Sequence, residues 1–129
     1  MFIKSVNLIN FRNYKNKSFS FSPEVNIILG KNGAGKTNIL EAIYFLTYGK
    51  SYKTRYDNEL IKNDETFLNV AGSVVDGNSS ELFVAVEKSY LNRCKKNFKV
   101  NNVKKSYRNF TKNLKSILFS PQDLQIVID

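Results

Sequence analysis

Residues 30 to 37 of this chain read Gly30-Lys31-Asn32-Gly33-Ala34-Gly35-Lys36-Thr37, and no other stretch restricts the possible folds so tightly. The spacing G-x-x-x-x-G-K-T is that of a phosphate-binding loop, in which each position has a physical job. The glycines let backbone N–H groups approach phosphate oxygens that a Cβ would obstruct. Lys36 sets a compact positive charge against the outer phosphates, and the Thr37 hydroxyl can ligate Mg2+. Such a loop works only between a buried strand and a helix, so that the helix N-terminus points at the anion.

Both flanks meet that requirement. Val25-Asn26-Ile27-Ile28-Leu29 is a short apolar run rich in β-branched residues, as expected of a strand covered on both faces. From Lys36 to Tyr48, apolar residues fall at 39, 40, 42, 43, 45 and 46, which covers almost the whole circumference and predicts a buried helix. Gly49 stands where a C-terminal cap is wanted. A chance glycine-rich turn would have neither flank.

The 129 residues suffice for one domain that buries about two-thirds of its unfolded surface. A single cysteine, Cys94, and the absence of histidine exclude an internal disulfide, a structural zinc site and a Cys/His catalytic centre. Met1-Phe2-Ile3-Lys4 is no secretory leader, and no apolar run approaches the roughly 18 residues a membrane helix needs. The chain therefore reads as cytoplasmic, with no membrane partner.

The net charge of +9 is concentrated. Residues 1 to 87 hold ten basic and nine acidic residues, whereas Lys88 to Lys115 holds ten basic residues and no acidic one. Tyr90, Phe98, Tyr107 and Phe110 are interleaved with those charges, a mixture found on many nucleic-acid surfaces. Two readings stay open. Lys95, Lys96, Lys99, Lys104 and Lys105 are candidates for DNA contact, or the segment is a solvated hairpin face in a lysine- and asparagine-rich chain (16 Lys, 17 Asn, 4 Arg).

Along the chain, Phe2 to Asn10 predicts a first strand and Phe19 with Phe21 a short second one closed by Ser22-Pro23. Asn58 to Ile61 predicts a helical turn in an otherwise polar stretch. Phe67 to Val75 and Leu82 to Val86 read as strands around a turn at Asp76-Gly77-Asn78-Ser79-Ser80, and Asn101-Asn102 reads as the turn of a further hairpin. Phe110, Leu114 and Ile117 fit a short helix before an Ile117-Leu118-Phe119 strand. The expected organisation is a P-loop core over 1–64, an antiparallel meander with a basic hairpin over 65–106, and a helix with a return strand over 107–129. The fold class is α/β: a mixed sheet, parallel around the P-loop and antiparallel in the meander.

Further segments narrow the family. Asn10-Phe11-Arg12-Asn13-Tyr14, Thr37-Asn38-Ile39-Leu40-Glu41-Ala42-Ile43, Gly49-Lys50-Ser51-Tyr52-Lys53-Thr54 and Phe119-Ser120-Pro121-Gln122-Asp123-Leu124 occur in this order. The combination resembles the amino-terminal part of the RecF family of bacterial DNA replication and repair proteins. That resemblance implies a P-loop NTPase of the ATP-binding-cassette head type, of the SMC-like kind, which uses ATP and Mg2+ to form a homodimer. It implies action on single-stranded or gapped DNA with RecO and RecR, support of RecA loading, and a link to the SOS response. By the same resemblance, Gly30 to Thr37 hold the phosphates and Mg2+, and Arg12 and Asn13 lie near base and ribose. Asn38 reaches the α-phosphate, Gln122 belongs to a loop that completes the Mg2+ shell, and Lys53 and Arg55 couple DNA to nucleotide.

The family pattern continues past residue 129, and neither an L-S-x-G-Q-like signature nor a Walker B strand ending in carboxylates is found. The expectation is an incomplete head that binds ATP without hydrolysing it. A transporter nucleotide-binding subunit, with Tyr14 as adenine platform, and an ATP-independent DNA-binding fragment are the alternative readings.

Overall fold

A computed structural model describes residues 2–21, 36–90 and 93–113. The predicted P-loop strand, the loop from Gly30 to Gly35, the Ile117–Phe119 strand and Gln122 lie outside the described residues, as do the side chains of Lys36 and Thr37. The elements in chain order are β1 (Phe2–Phe11), β2 (Tyr14–Ser20), α1 (Lys36–Tyr48), a short 3-10 helix (Asp57–Leu60), β3 (Phe67–Asp76), β4 (Asn78–Lys88), β5 (Cys94–Val100), β6 (Val103–Lys105) and α2 (Tyr107–Asn113).

The described strands form one six-stranded sheet in the order β2-β1-β3-β4-β5-β6, with every neighbouring pair antiparallel. Strand side chains alternate between faces, and the alternation here is clean. Val6, Leu8, Leu68, Val70, Val74, Leu82, Val84, Val86 and Phe98 are all buried on one face. The other face carries Asn7, Asn69, Ala71, Phe83, Lys99 and Lys104, each opposite the next or one step along by the register.

Helix α1 lies across the buried face and, as its all-round apolar pattern requires, nearly all of it is covered: Ile39, Leu40, Ala42, Ile43, Phe45 and Leu46 belong to the core. It approaches the sheet closely at Gly72 of β3, where a Cβ would collide with Leu46 Cδ2. The helix ends at Gly49, whose φ of +72° only glycine adopts without strain and whose N–H donates to Phe45 O at 2.8 Å. Phe110 of α2 is fully buried against Phe98, ring centroids 4.9 Å apart.

Two local predictions differ in extent from what forms. The five-residue turn at 76–80 shrinks to Gly77 (φ +75°), because Val74 pairs with Ser80 and Val75 with Ser79, so the ladder absorbs the serines. β2 begins already at Tyr14, right after the Arg12-Asn13 turn, and ends before Phe21. The Asn101-Asn102 turn forms as expected, with both residues at positive φ (+51° and +65°), the requirement of a type I′ hairpin.

Candidate nucleotide site

The β1–β2 connection is only two residues long, Arg12 and Asn13, and its geometry is unusual. Asn10 and Arg12 have φ of +54° and +53°, a region that costs a residue with a side chain about 1–2 kcal/mol. Such backbone persists where surrounding bonds impose it, and here they do. The Arg12 N–H donates to Leu60 O at 2.7 Å, the Lys62 N–H donates to Asn10 O at 2.8 Å, and Phe11 bridges Ile61. The segment around the 3-10 helix is thus stitched to this turn.

Helix α1 holds the same turn from the other side. Arg12 Nε donates to Glu41 Oε1 and Nη2 to Glu41 Oε2, each at 2.8 Å, a bidentate pair. Asn38 Nδ2 donates to Asn13 Oδ1 at 2.9 Å. Residues 38 and 41 are one turn apart on one helix face, so both turn residues are hooked to the helix that begins at Lys36. Arg12 Nη1 also donates to Glu59 O at 3.2 Å. The Glu41 carboxylate is fully buried, and Ser51 donates its hydroxyl to Oε2 at 2.7 Å. Bonding to Glu41 raises the Arg12 pKa above the ordinary guanidinium value, against the opposing effect of burial.

Arg12, Asn13, Asn38, Lys53, Glu59, Ile61, Lys62 and Asn63 line a hollow of about 600 Å³. A second hollow of about 630 Å³ adjoins it through Lys53 and is bounded by Tyr44, Lys50, Arg55 and Lys96 among others. Burial draws the Lys53 ammonium below the usual lysine range, with Glu41 pulling the other way. The structure therefore gathers Arg12, Asn13, Asn38 and Lys53, which the sequence singled out separately.

It divides the lysines of the basic segment. Lys99 pairs with Lys104 on the face away from α1, and Lys95 opposite Glu87 shares that face. Lys105 pairs with buried Phe98 and so lies on the α1 side. Lys96 is a structural residue there: its Nζ donates to Gly49 O at 2.7 Å, pairs with Asp57 Oδ2 at 2.8 Å, and stands 5.4 Å from the Phe45 ring centroid.

Glu41, Ser51, Glu59 and Lys62 were missed in the sequence. One signal was available for Glu41, a lone carboxylate inside a run of buried helix positions, since a buried charge requires a partner. Among the described residues no cluster of His, Cys, Asp or Glu could hold a metal ion, and no helix is long and apolar enough to cross a membrane.

An antiparallel sheet laid over the helix that follows a phosphate-binding loop, with cations and amides gathered at that helix's first turns, defines a P-loop head of the ATP-binding-cassette type. Comparisons with known proteins agree. The AAA domain family matches residues 5–126. The DNA replication and repair protein RecF of Clostridioides difficile strain 630 is 38% identical over 128 residues, a match taking in 98% of this chain and 33% of that protein. Among solved structures, the RecF-ATP form of the recombination mediator protein in the RecFOR pathway has a TM-score of 0.80 at 34% identity, over 97% of this chain and 34% of its own. An SMC ATPase described for ATP-driven dimerization and DNA-stimulated activation has a TM-score of 0.80 at 22% identity, over 100% of this chain and 87% of that one, a likeness of fold. This chain belongs to the AAA domain family and to the RecF family. It spans about a third of the length of the curated relatives it matches. RecF proteins as relatives favour the DNA-repair reading over the transporter one.

Proposed function

We propose that this chain binds ATP at its phosphate loop and, as part of a RecF-type DNA replication and repair protein, engages single-stranded or gapped DNA under control of that nucleotide. The observation that carries the reading is the pinning of Arg12 and Asn13 to Glu41 and Asn38 of α1, beside a hollow at the helix that the loop feeds. The lining suits an anionic, amide-seeking ligand: Arg12, Lys53 and Lys62 supply positive charge, and Asn13, Asn38 and Asn63 supply neutral donors and acceptors.

In this reading Gly30 to Thr37 hold the phosphates, Thr37 with Gln122 holds Mg2+, and Arg12 and Asn13 face base and ribose. Mg2+, when bound, neutralises charge on the phosphate oxygens. Arg12 keeps a fixed orientation because Glu41 takes two of its N–H groups and the Glu59 carbonyl a third, leaving two of its five donors for a ligand. Lys95, Lys99 and Lys104 on the outer face, with Lys53 and Arg55 beside the second hollow, are the proposed DNA contacts. An ATP-dependent homodimer, RecO and RecR as partners, RecA loading, SOS induction and a cytoplasmic location complete the proposal by resemblance to the family.

Titration with a fluorescent ATP analogue tests the core of it. Lys36→Ala is expected to weaken binding at least tenfold without lowering stability, and equal affinity of both proteins refutes the site. DNA affinity measured with and without ATP at two salt concentrations tests the rest. Equal affinity in both states identifies an ATP-independent DNA-binding chain instead.

A further inference from the structure

We propose that Glu41 is a positioning residue that joins the nucleotide hollow to the loop Ser51–Tyr56, so that occupancy of one is felt in the order of the other. The inference rests on the hollow being the nucleotide site. Three observations carry it. Glu41 is fully buried, so its carboxylate has no water to exchange for a protein partner. One oxygen, Oε2, is shared between Arg12 Nη2 at 2.8 Å and the Ser51 hydroxyl at 2.7 Å. The same Ser51 oxygen accepts the backbone N–H groups of Lys53 at 2.9 Å and Thr54 at 3.3 Å, and Thr54 Oγ1 in turn accepts the Tyr56 N–H at 3.0 Å.

A chain of bonds therefore runs from the Arg12 guanidinium through one buried carboxylate into the backbone of the loop. A bound nucleotide whose base or ribose draws on Arg12 withdraws hydrogen bonding from Oε2, and the Ser51 hydroxyl, which donates to the same oxygen, can make good the loss. Its hydroxyl then bonds Oε2 more strongly, becomes more polarised, and holds the Lys53 and Thr54 amides more firmly. Nucleotide in the first hollow is thus linked to a stiffer wall of the second, which carries Lys53 and Arg55.

Trypsin cleavage after Lys53 and Arg55 reads the loop directly, followed by mass spectrometry in the presence and absence of a nonhydrolysable ATP analogue. Each variant is saturated according to its own measured affinity. In the unaltered chain, nucleotide is expected to slow cleavage at these two bonds about fivefold. Ser51→Ala is expected to abolish that protection, and Ser51→Thr, which restores the hydroxyl, to recover it. Glu41→Gln is expected to weaken nucleotide binding about tenfold, with no additional loss in the Arg12→Ala background, because both act through one contact. Protection that survives Ser51→Ala, or Glu41→Gln and Arg12→Ala effects that simply add, overturns the coupling. Lys36→Ala separates the two levels: a chain whose nucleotide affinity ignores Lys36 overturns the site itself. Lys36-dependent binding with unchanged loop cleavage overturns only the role of Glu41.

Discussion

Lys96→Met separates a lysine bonded beneath the helix from the lysines proposed to contact DNA. Methionine keeps most of the aliphatic stem against Phe45 and Phe98, so packing is largely retained. What goes is the ammonium, which donates to the Gly49 carbonyl at the end of α1 and pairs with Asp57 while only 21% of the lysine side chain is exposed. A hydrogen bond from a charged group contributes about 1.5–3 kcal/mol, and relief from desolvating the ammonium offsets part of it. The net expected cost is about 2 kcal/mol. With a urea m-value of roughly 2 kcal/mol/M, the unfolding midpoint should fall by about 1 M. Lys95→Met, Lys99→Met and Lys104→Met, on the outer face, should each stay within about 0.5 kcal/mol of the parent. In DNA titrations the order reverses: each outer-face change that removes a phosphate contact should lower the salt slope by about 0.7–0.9, and Lys96→Met should not. A Lys96→Met protein as stable as its parent, with a salt slope reduced like that of its neighbours, would refute the assignment.

Gly72→Ala should destabilise the fold by about 1–2 kcal/mol in urea melts, because the new methyl meets buried Leu46. In a Leu46→Ala background the same change should become neutral or favourable, and a cost that persists there would place the clash elsewhere. Burial, aided by Asp57, pushes the Cys94 thiol above its ordinary pKa, so alkylation by iodoacetamide should rise with pH later in the folded chain than in urea. The sign of the linked stability follows. An acid whose folded pKa is raised favours folding below its unfolded value, about 8.5, and that contribution is lost as pH climbs through the folded value. Urea midpoints should therefore drop above about pH 8.5 in the parent and less so in Cys94→Ala, and identical pH profiles for the two would refute it.

What could be read in advance was local. The helix from Lys36 to Tyr48 showed in its periodicity and in Gly49, and the Asn101-Asn102 hairpin in a turn chemistry that tolerates positive φ. Arg12, Asn13, Asn38 and Lys53 were picked out by resemblance to a family, and the structure supplies the reason they sit together. The bond between Arg12 and Glu41 joins residues 29 positions apart, and no periodicity encodes such a pairing. The basic segment divides for a related reason. Lys95 and Lys96 are neighbours in sequence, yet strand alternation sends one to the outer face and the other under the helix. Counting strand parity from Phe98, an aromatic suited to the core, separates the two.

Among the described strands the sheet is open, with β2 and β6 as its two margins. An unpaired margin is a template on which another chain can add a strand and start a fibre. Both margins carry lysines in short strands, Lys15 and Lys17 on β2 and Lys104 and Lys105 on β6. Stacking two copies edge to edge would bring those like charges together. Part of the positive surplus therefore protects solubility whatever else it touches, and a chain with these four lysines neutralised would be expected to aggregate before it unfolds.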